Sequence, residues 1–240
     1  MKKRVILIGI QARSSSTRLP NKIHLQIGGR PILQHIIDSC VNTVRYLKND
    51  CIKYDAEIKI ALLVPKGDPA ASIYKNQVPL LEGDEKDVLS RYVKAAEENN
   101  ADFIVRVTGD CLFLPTHLIS KHIKSALIKN RDYTTNIIHR TFKEGLDCEV
   151  ISRRALNWLN EHAKTEHDRE HVTTRLYGKN EFPFRDGEGK ANICHIINYF
   201  YEADIKTSID TAEDFENAKR LFSKFQLAKT NALRSGIFIS

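Results

Sequence analysis

The 240-residue chain has five cysteines, one methionine and one tryptophan. Cys40, Cys51, Cys111, Cys148 and Cys194 are odd in number, scattered, and form no C-x-x-C pair. That spacing excludes a disulfide framework and fits reduced thiols. No apolar run approaches the roughly 20 residues a membrane-spanning helix needs, so no membrane insertion is expected. The basic start Met1-Lys2-Lys3-Arg4 superficially resembles a signal peptide. Its apolar run, Val5 to Ile10, is too short for most such segments, however, and a polar arginine loop follows it instead of a cleavage site. A cytoplasmic location is therefore expected. The chain also lacks a long Lys/Arg block or a basic stripe interleaved with aromatics, so its net charge of +7 points to an anionic ligand and not to nucleic acid. Internal repeats and low-complexity segments are absent, and with 42% hydrophobic residues there is ample material for a core.

What is present is an alternation of apolar strands and amphipathic helices, the pattern of an α/β protein. Strands are expected at Val5–Ile10, Ile23–Ile27, Glu57–Val64, Val78–Leu81, Phe103–Val107, Tyr133–Ile138, Gly145–Ile151, Ile193–Ile197 and Lys206–Ile209. Gly28-Gly29 reads as a turn, and Pro31 suits the first turn of a helix through Ile32, Leu33, Ile36, Ile37 and Cys40. Further helices are expected at Asp87–Ala96 with Asp84 as N-cap, Thr116–Ile128, Arg153–Ala163 and Glu170–Tyr177. A last helix opens at Thr211-Ala212-Glu213-Asp214, a capping-box variant. Lys179–Ala191, rich in Gly, Pro and charge, reads as a loop or hairpin. One domain over 1–225 with an extension over 226–240 is expected.

The most informative stretch follows the first strand: Gln11-Ala12-Arg13-Ser14-Ser15-Ser16-Thr17-Arg18-Leu19-Pro20-Asn21-Lys22. A strand ending in a hydroxyl-rich loop leaves backbone N–H groups without ladder partners, and Arg13, Arg18 and Lys22 add three cations. Together these groups suit a polyphosphate cradle, because phosphate oxygens accept charge-assisted and often bidentate bonds. In open α/β sheets ligands collect at the carboxyl ends of strands. Thr108-Gly109-Asp110 and Ser208-Ile209-Asp210-Thr211 fall at two such ends. A triphosphate needs a divalent cation, and Mg²⁺ takes one or two carboxylates with phosphates and waters, so Asp110 and Asp210 are the natural pair. A turn residue and an N-cap neighbour are the plainer readings of the same two positions.

Ile10-Gln11-Ala12-Arg13, Ser16-Thr17-Arg18-Leu19-Pro20 and Lys22 resemble the N-terminal signature of the CMP-sugar synthetase-like cytidylyltransferases. That family includes the CMP-ketodeoxyoctulosonate and CMP-sialate synthetases, and the likeness is greatest to the branch named for spore-coat polysaccharide biosynthesis protein F. Five further segments occur in the family order: Glu82–Tyr92, Arg106–Cys111, Gly145–Val150, Arg169–Thr173 and Ser208–Asp214. The resemblance implies a Rossmann-like nucleotidyltransferase fold with a mostly parallel central sheet and a small dimerisation element, assembled as a homodimer. It implies transfer of CMP from CTP to an acidic sugar or related small anionic acceptor, with release of pyrophosphate, in surface polysaccharide biosynthesis. Arg13, Lys22 and Asp110 would be catalytic. Gln11, Ala12, Arg13, Ser14, Lys22 and Arg106 would bind the nucleotide, with Arg106 and Glu82–Asp87 as candidates for reading the base. Asp110 and Asp210 would carry Mg²⁺.

Two departures from the pattern stand out. Leu112-Phe113-Leu114-Pro115 replaces a Pro directly after the Cys, and Asn21 replaces a Gly, a mild change because Asn tolerates left-handed angles. Asp147 and Glu149 alternate on an expected strand and could share one face, either contacting substrate or forming a solvated edge, and His171 reads as a substrate-pocket or a structural residue. His167 and His171 are four apart but lack the context of a zinc site. Trp158 reads as core or a subunit contact. A nucleotide-sugar-dependent glycosyltransferase is one rival reading, but the Asp-x-Asp metal motif common to those enzymes is absent. A non-catalytic nucleotide-binding protein is the other.

Overall fold

The structure is a computed structural model that describes residues 3–176, 192–199 and 206–234, with side chains described as far as residue 227. The loop expected over 179–191 lies outside these residues. The first strand, β1 (Arg4–Gln11), is buried along Val5–Ile10 and lies between β4 (Ala56–Pro65) and β6 (Phe103–Thr108), parallel to both. β4 pairs in parallel with the edge strand β5 (Leu80–Gly83). Beyond β6, β8 (Glu149–Ser152) runs antiparallel to β6 and to β7 (Tyr133–Thr135), and β9 (Ile193–His195) pairs in parallel with β7. The seven-stranded order is β5-β4-β1-β6-β8-β7-β9. β2 (Gln26–Ile27) and β3 (Arg30–Pro31) form a separate small hairpin across the Gly28-Gly29 turn.

β1 alternates its side chains between two cores. Ile6, Ile8 and Ile10 join α1 (Ile32–Tyr46) and α5 (Thr116–Lys129) on one face. Val5 and Leu7 join α4 (Val88–Glu98) and α6 (Arg153–His162) on the other. A strand covered on both faces reads as a continuous apolar run. Each fully buried Ile or Leu contributes roughly 1.5–3 kcal/mol, so the loop after β1 leaves from a rigid end. The chain moves from β1 outward through β4 and β5, then returns to place β6 on the other side of β1. The strand order therefore reverses between β1 and β6, which opens a crevice at their carboxyl ends.

Several local expectations shift. Ile23–Ile27 is no single strand: Lys22–His24 form a 3₁₀ turn and only Gln26–Ile27 are extended. The N-cap of α4 is Asp87, which accepts from the Ser90 N–H at 2.9 Å, while Asp84 closes the preceding turn by accepting from the Lys86 and Asp87 amides. β8 starts at Glu149, so Gly145–Cys148 are a loop. The helix expected at Glu170–Tyr177 is instead α7 (Glu166–His171) followed by a 3₁₀ turn at Thr174–Leu176. Lys206–Ile209 make only one bridge, between Lys206 and Glu144. Two short helices complete the described elements before the last one: α2 (Lys48–Lys53) and α3 (Pro69–Tyr74). The capping box at Thr211 holds: Thr211 Oγ1 accepts from the Asp214 amide and Asp214 accepts from those of Asp210 and Thr211. The helix it opens, α8 (Ala212–Arg234), continues past residue 225. Trp158 lies in the second core.

Candidate active site

Lys22 is delivered by a left-handed residue. Asn21 sits at φ 55° and turns the chain into the 3₁₀ turn, whose Ile23 is buried in the core. The Lys22 Nζ donates to Asp110 Oδ2 at 3.0 Å, Asp210 Oδ1 at 3.1 Å and the Ile209 carbonyl at 3.0 Å. Asp110 reaches this position because Gly109 lets the backbone close on β1: its amide donates to the Gln11 carbonyl at 2.8 Å, and a Cβ there would lie 3.1 Å from that oxygen. Asp210 precedes α8 in a segment that backs onto Gly145. There φ is +95° and a Cβ would lie 2.3 Å from the Ser208 nitrogen, so only glycine fits. Arg18 and Lys206 also pair with Asp210, at 2.9 and 3.4 Å. Burial pushes the Asp110 carboxyl up, but the Lys22 ammonium and a hydrogen bond from Thr108 outweigh it and hold it below the usual range.

The loop between β1 and Lys22 supplies the cations. Arg13 and Arg18 line the same crevice, and Arg13 pairs loosely with Glu170 at 3.5 Å. The amides of Ala12 and Ser14 are not available as phosphate donors. Ala12 N–H donates to the Leu63 carbonyl at 3.1 Å and Ser14 N–H to Asp68 Oδ2 at 2.7 Å. The Ser14 hydroxyl also donates to Asp68, so this buried serine ties the loop to the N-cap of α3.

At the far end of the crevice, residues of β1, α4 and β6 meet the second half of the chain. Arg106 Nε donates to Gln11 Oε1 at 3.1 Å and its Nη1 to Glu149 Oε2 at 2.5 Å. Tyr133 donates its hydroxyl to the other Glu149 oxygen, and the single Tyr92 hydroxyl proton is shared between the Gly9 carbonyl at 3.2 Å and Gln11 Oε1 at 3.3 Å. Asp147 forms a two-bond pair with Arg140 at 2.8 and 3.2 Å, and burial pushes its carboxyl up against the opposing pull of that arginine. His171 ends α7, where buried Val172 takes φ 62°, a strained angle for a β-branched residue. Burial and the neighbouring His167 lower the His171 pKa. α7 is latched to α4 by Arg169, which grips Asp87 with two bonds of 2.9 and 2.6 Å. Of these groups, Gln11, Arg13, Arg18, Lys22, Arg106, Asp110, Asp147, Glu170, His171 and Asp210 line one cavity of about 350 Å³.

A family profile described as cytidylyltransferase matches residues 6–239. The chain belongs to the cytidylyltransferase family. It is thus a nucleotidyltransferase, with the α/β fold of that family. A cytidylyltransferase structure from Leptospira borgpetersenii superposes with a TM-score of 0.76 at 26% identity, covering 92% of this chain and 87% of that one. An uncharacterized protein of Methanocaldococcus jannaschii is 35% identical over 226 residues, 92% of this chain and 85% of that protein. The spore coat polysaccharide biosynthesis protein SpsF of Bacillus subtilis is 28% identical over 222 residues, 91% of this chain and 87% of that protein.

Set against the family pattern, the cavity gathers Gln11, Ala12, Arg13, Lys22, Arg106, Asp110, Asp147, His171 and Asp210. Ser14 and Glu149 do not line it. Glu149 starts β8 while Asp147 lies in the loop before it, so the two do not share a strand face; the Glu149 carboxylate is turned inward onto Arg106 and Tyr133. Sequence reasoning missed Arg91, Glu144 and Glu170 as lining residues. Arg91 lies inside the quoted Glu82–Tyr92 segment and could have been found by asking why a buried helix face carries an arginine. Glu170 lies inside the quoted Arg169–Thr173 segment beside His171, whereas Glu144 left no such signal. His167 and His171 rings lie 4.4 Å apart, but no group of three metal-ligating side chains forms among the described residues.

Proposed function

We propose that this cytidylyltransferase couples CTP to a hydroxyl of an acidic sugar or related small anionic acceptor. Pyrophosphate is released, and the product is a CMP-activated precursor for surface polysaccharide biosynthesis. The observation that carries this reading is the convergence of Asp110, Asp210 and Lys22 in the cavity lined by Arg13 and Arg18. Two carboxylates from separate elements aimed at one cation form a hard oxygen donor set, which fits Mg²⁺. Asp110 and Asp210 would hold that ion, which when bound offsets triphosphate charge and polarises the reacting phosphorus. The chain's own share is positioning and neutralisation, the dominant needs of phosphoryl chemistry. Arg13 and Arg18 take phosphate oxygens. Lys22 releases its carboxylates and stabilises the charge that builds on the departing pyrophosphate. The likeness to the polysaccharide protein of Bacillus subtilis supports the pathway, and the ordered motifs support CTP.

The test is pyrophosphate release with each NTP, Mg²⁺ and a panel of keto-sugar acids, phosphonates and phosphorylated sugars. Release that requires CTP and an acidic acceptor is expected. Consumption of a nucleotide sugar without pyrophosphate would identify a glycosyltransferase instead, and binding without turnover a nucleotide-binding protein. Assembly as a homodimer through the second half is part of the proposal. Ile197 and Tyr199, 42% and 89% exposed, leave apolar surface there, and light scattering of the purified protein tests it. No helix among the described residues is long and apolar enough to cross a membrane, in keeping with a proposed cytoplasmic site of action.

A further inference from the structure

The far end of the cavity holds two donors that phosphate chemistry leaves unused. Gln11 on β1 and Arg106 on β6 share the sheet face of Leu7 and Ile104, by the two-residue period of a strand. A guanidinium has only donors, so Gln11 must turn its oxygen to Arg106 Nε, and Tyr92 fixes that oxygen from α4. The Gln11 Nε2 amide is thereby turned away from the arginine. Arg106 is held from behind by Glu149, 1% exposed and itself gripped by Tyr133. The Gln11 Nε2 and Arg106 Nη2 groups have no partner among the described residues, are not sealed from solvent, and belong to residues that line the cavity.

We propose that Gln11 and Arg106 together read the carboxylate of the acceptor, with Glu149 as the positioning residue behind them. The inference rests on the proposed transfer to an acidic acceptor. A carboxylate offers two oxygens to N–H donors held in place, and both of these donors are held by fixed partners, Tyr92 and Arg106 for Gln11 and Glu149 for Arg106. Glu149 already balances the charge of Arg106, and Glu144, Asp147 and Glu170 surround the same cavity. A single negative charge is accommodated there while a phosphate dianion is opposed, and the carboxylates remain as acceptors for sugar hydroxyls. The pair borders the second half of the chain. Arg106 acts electrostatically on Asp147 and His171, both from the second half. Val88 and Arg91, at the start of α4, line the cavity from the element that packs on β4 and β5. Arg106, a base-reading candidate on sequence, is thus assigned to the acceptor.

The deciding variant is Gln11→Glu, nearly isosteric, which keeps an oxygen for Arg106 and Tyr92 and replaces the amide with a second oxygen. With 3-deoxy-octulosonate as the probe acceptor, its KM is expected to rise about tenfold or more while the Kd for CTP alone stays within about twofold. Arg106→Lys, which loses the fork, is expected to erase discrimination between that acid and its carboxamide. Glu149→Gln is expected to raise the acceptor KM with kcat and the CTP Kd held; a merely structural role would lower Tm and leave KM unmoved. Weakened CTP binding with an unchanged acceptor KM would give the pair to the nucleotide, overturning the inference but not the transfer reaction. If the wild-type enzyme transfers CMP to no sugar acid in the panel, the reaction and the inference fall together.

Discussion

Lys22 with Asp110 and Asp210, and Arg106 with Glu149, are two cation–carboxylate clusters in the walls of one cavity, and they are built differently. The first is open: its side chains are 13%, 27% and 15% exposed, and the lysine divides its ammonium among three acceptors. The second is closed, with a carboxylate in the interior and an arginine locked through two of its nitrogens. A flexible ammonium at a cavity surface can trade carboxylates for incoming phosphates at little cost, since partly solvated pairs hold little net energy. The Arg106–Glu149 pair cannot trade in the same way, because its carboxylate is 1% exposed and breaking the pair strands that charge away from water. Charge neutralisation at the phosphates should therefore depend on the open cluster, and both the fold and the placement of the acceptor on the closed one.

Four measurements would break or sharpen that contrast. Glu149→Ala is expected to cost about 3–5 kcal/mol of stability by leaving the largely buried Arg106 without its counter-charge. In a chain of this size that is a fall in Tm of roughly 10 °C by calorimetry, and a fall below about 2 °C would erase the distinction. Lys22→Ala should cut kcat/KM by about 10²–10³, or roughly 3 kcal/mol of transition-state stabilisation, with Tm moved by only a couple of degrees. Wild-type pyrophosphate release by that variant would remove Lys22 from the reaction.

A buried group without a counter-charge extends the comparison. His122 in α5 donates Nδ1–H to the Leu118 carbonyl at 2.8 Å, its Nε2 has no partner, and burial lowers its pKa from 6.5 to about 4. The unfolded chain takes up that proton first as pH falls. Its contribution is therefore intact above pH 6.5 and is lost between 6.5 and about 4, about 3 kcal/mol in all. Denaturant titrations across that window should show the decline in the wild type and a flatter profile in His122→Leu. The smallest effect expected is that of Gly145→Ala, about 2 kcal/mol from a strained φ and a clash with the Ser208 backbone. Its sharper readout is activity, because the displaced segment carries Asp210; full activity with lowered stability would show that Asp210 tolerates the shift.

Much of the open cluster was readable because its parts stand in local motifs. Asn21 is one such part: a residue tolerant of left-handed angles between Pro20 and Lys22 announced the turn that aims the lysine. Asp110 stood two residues beyond a buried strand. The closed cluster hid in plain strand patterns. Glu149 alternates as a solvent-facing residue would, and only the antiparallel pairing of β8 with β6 places it opposite Arg106. The N-cap of α4 was misplaced for a similar reason, since Asp84 and Asp87 are both good caps, and the choice between them depends on where the turn from β5 ends.

The amino-acid sequence by itself determined the strand–loop unit with its cations, the acidic strand ends and the family, because periodicity, turn residues and ordered motifs act over short spans of chain. Which groups meet was decided only by the tertiary structure. Lys22 and Asp210 are 188 positions apart, and Arg106 and Glu149 are 43 apart. Their meeting depends on the strand-order reversal beside β1, the glycine at 145 and the docking of the segment before α8. Those contacts come from packing two cores against one sheet, which no local pattern encodes.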